Sequence, residues 1–405
     1  MYDVCIIGGG LVGASLAVAL APLSLRVALI EASAPPQGGA SWDERCIAIN
    51  DASHRIFALL EVWPELLPFA APITSTHISE RGRFGVARFK AGDAGMAALG
   101  YNIPIRVVGQ VLWKKLHETR TTVICPARLE SMDAGEDAVS LKLASGSSGY
   151  SGEEKILSAK LVIAADGAKS GVRKFLSIAV QTRDYRQSAI VTAVRVSRPH
   201  AGVAYERFTP DGPFAILPKP DDACSLVWTV ASDQVEAMLA WPDAEFLARA
   251  QDMFGERLGV FRELGRRNAH PLTRVMSEKL SAPRTLFVGN AAQALHPVAA
   301  QGFNLGLRDV AMAAEVLAQA ADPGAAEVLA EYVRRRDGDR ERMADFTDRL
   351  VRTFSNRVPG LAALRHLGLL ALDLTPPLKE RVMRQSLGYA GVTPALARGT
   401  ALRPR

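Results

Sequence analysis

Gly8, Gly10 and Gly13 stand as G-x-G-x-x-G between an apolar run at residues 4–7 and an alanine-rich stretch. Glu31 follows 18 residues after Gly13, at the end of a second apolar run, 26–30. The pattern predicts strand, tight turn, helix and second strand. Gly8 permits the sharp turn. Gly10 lets a pyrophosphate approach the backbone without meeting a Cβ, and Gly13 lets the helix pack close on the strand. The helix N-terminus favours the anion, and Glu31 can accept hydrogen bonds from both ribose hydroxyls. A glutamate with no arginine beside it disfavours a 2′-phosphate, so the expected ligand is FAD or NAD.

Two later segments have the same strand-to-loop character, the edge at which open α/β sheets hold ligands. In LVIAADGAKSGVRK, 161–174, an apolar strand runs into Asp166-Gly167, with Ser170 and Arg173 following. In TLFVGNAAQALHPVAAQGFNLGLRDVAMAAEVL, 285–317, a strand runs into Gly289-Asn290, then His296-Pro297, then a glycine-containing turn at 301–304, then a helix. The main-chain N–H groups of Gly302, Phe303 and Asn304 can serve a carbonyl or an anionic ring.

Positioning these segments takes more than one layer of structure. A chain of 405 residues exceeds what one core supports, so two packed regions are expected. A hydrophobic content of 48% with 22% charged residues describes an ordered globular protein. The chain opens directly on a strand, which speaks against a signal peptide, and glycines break the first apolar run, so it cannot span a bilayer. Cys5, Cys46, Cys125 and Cys224 are scattered, as for reduced thiols in a cytosolic protein, and show no metal-binding spacing. Residues 52–60 predict a helix capped by Asp51. Residues 74–90 predict a strand pair, 107–117 a helix, and 189–230 several antiparallel strands punctuated by turns at Pro210-Asp211-Gly212 and Pro220-Asp221-Asp222. The fold class expected is α/β: a Rossmann-like dinucleotide domain (1–73, 101–180, 271–340) with an inserted antiparallel β-sheet domain (74–100, 181–270) and a C-terminal helical region (341–405). Residues 331–405 carry 15 basic and 8 acidic residues, more than the whole net charge of +6. That is a solvated helical face, or a surface for anionic lipid or an acidic partner.

The three motifs, in this order and spacing, resemble the single-component flavin hydroxylases related to para-hydroxybenzoate hydroxylase, over nearly the whole chain. DERCIAIN (43–50), YERFTPDGPFAILP (205–218) and VGNAAQALHPVAAQGFNLGLRD (288–309) are similar to the hydroxylases of ubiquinone biosynthesis, most of all to the branch acting on a polyprenyl methoxyphenol. Asn290 stands where most of the family has Asp. The resemblance implies FAD as cofactor, with Gly8, Gly10, Gly13 and Glu31 on its ADP half. It implies that Arg45 runs along the cofactor and that Gln110 lies near the phosphate or ribityl chain. Asp166 and Gly167 would contact FAD and the nicotinamide, Asn290 would bond the pyrophosphate–ribityl region, and Pro297 with Gln301, Gly302, Phe303 and Asn304 would border the flavin ring.

Blander roles stay open. Arg45 could pair with Asp43 or Glu44, Gln110 could be a surface helix residue, and Asp166-Gly167 could be a plain turn. His296 could act as a base or merely orient, and Pro297 could stiffen the loop. The implied reaction uses NADPH or NADH and O2, through a flavin C4a-hydroperoxide, to hydroxylate a polyprenyl phenol in a pocket kept dry. Alternatives are another ring position, reduction of a prenyl chain, or a flavin-bound assembly subunit. Expected partners are proteins of the ubiquinone-biosynthesis complex and a membrane surface met through 361–374, the alternative for that stretch being an ordinary helix packed on the FAD domain; nucleic acid and metal ions are not expected. The expected location is cytoplasmic, with peripheral contact at the inner membrane.

Overall fold

The computed structural model describes residues 1–33, 41–42, 44–144, 155–295, 301–354 and 361–403. Its first sheet is built on Tyr2–Ile7, whose last four residues are buried, flanked in parallel by Val27–Ile30 and Lys155–Ala164. Thr122–Ile124 extends it in parallel on one side and Thr285–Phe287 on the other. Residues without polar side chains suit strands covered on both faces. The helix Leu11–Leu20 is buried over eight of its ten residues. It packs between the sheet and the helices Ile105–His117 and Gln301–Leu317. Val12 is the contact with the last: a Cβ on Gly306 would lie 2.9 Å from its methyl.

Among the described residues the second sheet has nine strands. Its central order is Asn268–Ser277, Val180–Val196, Ala223–Ala231, Gly212–Pro218, Val203–Thr209, Ser75–Glu80 and Val86–Lys90. All neighbours are antiparallel except Val203–Thr209 against Ser75–Glu80, so the early hairpin joins a sheet built mostly from later sequence. One face is sealed by Val235–Ala240 and Asp243–Phe254, with Phe214, Trp228, Phe246 and Phe254 in its core. A Rossmann-like sheet, a separate mainly antiparallel sheet and a helical C-terminus are the expected fold class.

Three local expectations are corrected. Asn50, not Asp51, caps the helix Asp51–Leu59: its Oδ1 accepts from Ser53 N at 3.0 Å. Asp51 is the first helical residue and pairs with Arg55 at 2.9 Å. Residues 301–304 are not a turn but the first turn of Gln301–Leu317. Leu361–Leu374 is an ordinary packed helix, yet it packs on the second sheet. Leu369 joins Ala87, Phe89 and Phe208, and Arg365 meets Glu80 at 2.6 Å. Among the described residues no helix is long and apolar enough to cross a membrane. Cys5 and Cys224 are buried, which pushes both thiols up to about 12.

Candidate active site

The opening turn is shaped from both sides. Gly8 has φ +104°, and a Cβ there would lie 2.6 Å from the carbonyl oxygen of Ala165. A Cβ on Gly13 would overlap the carbonyl of Gly8. At Gly10 a Cβ would meet nothing within 4 Å. Two of the three glycines are therefore demanded by packing and conformation, while Gly10 faces open space.

Glu31 bends back over this turn. Its Oε2 accepts from Gly9 N at 2.5 Å and its Oε1 from Ser33 N at 2.8 Å, which fixes the carboxylate and leaves each oxygen a further lone pair. Trp113 Nε1 donates to the Gly9 carbonyl at 2.9 Å, a brace that sequence reasoning missed.

The close contact of Gly8 with Ala165 brings Asp166-Gly167 against the same turn. Asp166 Oδ2 accepts from Gly171 N at 2.7 Å and Val172 N at 3.2 Å. Among the described residues its buried Oδ1 has no hydrogen-bond partner. A Cβ on Gly167, φ +84°, would again meet nothing within 4 Å. An unpartnered buried carboxylate oxygen beside open glycine faces is a site shaped for a polar ligand.

Arg173 links the second loop to the third. Its guanidinium donates to the carbonyls of Ala168 and, at 2.5 Å, Ala291. Burial lowers its pKa. In the third loop Gly289, φ +57°, gives its N–H to Asp309 Oδ2 at 2.9 Å. Asn290 then projects its side chain outward, exposed. Asp309 was legible in GFNLGLRD only as a helix residue. Its partner Arg336 lies 27 positions away, so no local pattern could join them.

The helix Gln301–Leu317 starts at this edge, and among the described residues a Cβ on Gly302 would meet nothing within 4 Å. The Asn304 side chain is committed elsewhere: Oδ1 accepts from Asn50 N at 2.9 Å and Ser53 Oγ at 2.7 Å. Gln301 is buried, and Phe303 packs near Phe57 with ring centroids 6.1 Å apart. His296 and Pro297 lie outside the described residues.

Arg45 does not find its partner in Glu44, and Asp43 lies outside the described residues. Glu44 is held by Arg106 at 2.9 Å, whose Nη1 also donates to Gln110 Oε1 at 2.6 Å. Gln110 is thus part of a polar cluster behind the Gly-rich helix rather than a plain surface residue. Arg45 Nη1 lies 3.5 Å from His270 Nε2 on the second sheet. Burial and the Arg45 charge lower the His270 pKa.

These residues fit FAD. Gly10, Gly167 and Gly302 have room for a ligand where a side chain would stand, Glu31 is fixed for a ribose, and Asp166 Oδ1 awaits a partner.

Known proteins resemble this chain in sequence and in fold. The FAD binding domain family model matches residues 1–347. Ubiquinone hydroxylase UbiL of Rhodospirillum rubrum is 38% identical over 99% of this chain and 93% of its own. The 3-demethoxyubiquinol 3-hydroxylase of Escherichia coli is 33% identical over 95% and 98%. Among solved structures, p-nitrophenol 4-monooxygenase from Pseudomonas putida superposes with a TM-score of 0.78 at 17% identity, covering 96% of this chain and 98% of its own. The chain therefore belongs to the FAD-binding-domain family of flavoprotein monooxygenases, in the branch that contains the ubiquinone hydroxylases.

Proposed function

We propose that this protein hydroxylates the aromatic ring of a polyprenylated phenol in ubiquinone biosynthesis, using NAD(P)H and O2, with a 2-polyprenyl-6-methoxyphenol as substrate. The observation that carries this reading is the convergence of the three loops on open glycine faces and an unpartnered Asp166 Oδ1, in a chain related to ubiquinone hydroxylases. Bound FAD would supply hydride acceptance from NAD(P)H and oxygen transfer from O2.

The chain's own part is binding, orientation and exclusion of water. Gly8, Gly10, Gly13 and Glu31 hold the ADP half. Asp166-Gly167 and Asn290 receive the middle of the cofactor, and Arg45 and Gln110 flank it. His296, Pro297 and the 301–304 amides border the reacting ring. The parts 1–73, 101–180 and 271–340 form the cofactor domain, 74–100 and 181–270 wall the substrate, and 341–405 is a helical addition. One G-x-G-x-x-G serves FAD, so the nicotinamide binds transiently across the groove between domains.

The substrate's prenyl chain is costly to carry through water, about 0.8 kcal/mol for each CH₂. The protein collects it at an anionic bilayer, from the cytoplasmic side. Phe84 is 94% exposed beside exposed Arg81 and Arg83, and Gly85 N bonds His366 at 2.6 Å. That contact sets Phe84 next to the helix carrying exposed Leu367 and Leu374. An apolar tip ringed by basic charge suits the surface of such a membrane.

The deciding experiment is identification of the quinone intermediate that accumulates when the chain is lost, together with oxygen-dependent NAD(P)H oxidation by the yellow protein. Accumulated 2-polyprenyl-6-methoxyphenol supports the reading. A different ring intermediate moves the hydroxylation to another carbon, an unsaturated prenyl product makes the protein a reductase, and rescue by a colourless protein makes it an assembly subunit.

A further inference from the structure

The second sheet has two unlike faces. Ile190, Phe214, Ile216, Leu226 and Trp228 point to the face sealed by Val235–Ala240 and Asp243–Phe254, and all are buried. The register places Val191, Val227, Ala215, Glu206 and Ile78 side by side across five strands on the opposite face. The rim of that opposite face is tied down. His270, one pleat along from this row, reaches Arg45 at 3.5 Å. Ser225 accepts from Asn102 Nδ2 at 3.2 Å, and Glu80 holds Arg365. Yet the centre stays reachable: Val191, Val227, Glu206, Ile78 and the adjacent Leu217 are all partly exposed. A tied rim around a reachable apolar centre is the kind of surface on which a small apolar molecule can be held.

Glu206 is the single carboxylate in this central row. Among the described residues no hydrogen bond or ion pair engages its side chain, in contrast to Glu80 one strand away. Glu206 is partly exposed, so its unpartnered carboxylate is open to a polar group that enters from the reachable side of this mostly apolar row. We propose that Glu206 is the residue that takes the hydroxyl of the phenolic substrate, orients the ring against the sheet and accepts the phenolic proton.

This rests on the phenol reading given above. Only a proton moves: the phenolic O–H bond breaks with its electron pair kept by oxygen, and a carboxylic O–H forms on Glu206. The proton is then lost to water before the next substrate binds. The phenolate left behind is the more electron-rich ring for oxygen insertion. Burial raises the Glu206 pKa to about 7, which suits a base working near neutrality.

The test uses the FAD-loaded full chain and a phenol bearing a single short prenyl group. The wild type should turn over with a rising pH limb centred near 7. Glu206→Gln should keep flavin, lose that limb, and fall about a hundredfold in kcat, the usual scale for a general base. Glu206→Asp should restore the limb. A Glu206→Gln variant with wild-type kcat and pH profile, or a Glu206→Asp variant that does not restore the limb, overturns the proposal. A wild type that binds FAD but makes no hydroxylated product from any prenylphenol overturns the parent reading instead.

Discussion

The guanidinium of Arg336 lies against the carboxylate of Asp309, Nε to Oδ1 2.8 Å, with both side chains 3% exposed or less. Asp309 in turn holds the N–H of Gly289, so a helix outside the cofactor loops fixes one of them. Asp339 and Arg308 close the buried network, and Arg308 reaches the carbonyl of Ala390 at 2.7 Å. Arg336→Met takes the guanidinium from Asp309 and leaves Asp339 with Arg308 and, at 3.8 Å, the exposed Arg342. It should cost about 3–5 kcal/mol of stability, the scale for breaking a buried pair. Urea unfolding of the purified variant measures this, and a loss below 1 kcal/mol would show the network to be dispensable.

Gly10 and Gly13 should separate under the same substitution. Gly10→Val has space in the protein alone, so it should fold and melt near the wild-type temperature without retaining FAD. Gly13→Val collides with the Gly8 carbonyl and should not yield folded protein. Flavin absorbance with thermal melting distinguishes them, and a yellow Gly10→Val protein refutes the pyrophosphate assignment.

Asn290 is exposed, so its substitutions leave the core intact. Asn290→Asp should retain FAD and Asn290→Leu should lose much of it, because an amide can donate to the cofactor as well as accept. Equal FAD affinity of Asn290→Leu and wild type, by flavin fluorescence titration, removes Asn290 from the site.

His77 gives the fold an acid weakness. Burial, with Arg257, Arg88 and Arg207 nearby, lowers its pKa from 6.5 to about 4. Between those values the unfolded chain binds the proton more readily, so stability falls as pH drops from about 6.5 to about 4. The scale is at most about 3 kcal/mol. His77→Gln should flatten this part of the stability–pH curve; a variant curve parallel to the wild type over that range would assign the acid loss to other groups.

Removing the last helices uncovers Ala87, Phe89 and Phe208, so truncation tests packing before docking. Point changes are cleaner. Phe84→Ser with Leu367→Ser should weaken co-sedimentation with phosphatidylserine vesicles severalfold, most at low salt, while flavin content stays constant. Unchanged sedimentation would leave the bilayer without this contact.

The sequence by itself determined the local units. Residues 4–7, the glycine turn, the helix, and Glu31 at the end of the next strand all follow from short-range patterns, because periodicity and turn geometry act within one or two elements. The 74–90 hairpin and the 107–117 helix were legible for the same reason. Tertiary structure decided what those units are joined to. Arg173 bridges Ala168 to Ala291, 123 positions along the chain, and Asn304 spends its side chain on Asn50 rather than on a ligand. Asn50 replaces Asp51 as helix cap because it is the residue with extended backbone just before the first turn. The 361–374 stretch reads equally well as an interfacial or a packed helix. Only Leu369 against Phe89 and Arg365 against Glu80 decide for packing, since burial depends on partners that no stretch of sequence contains.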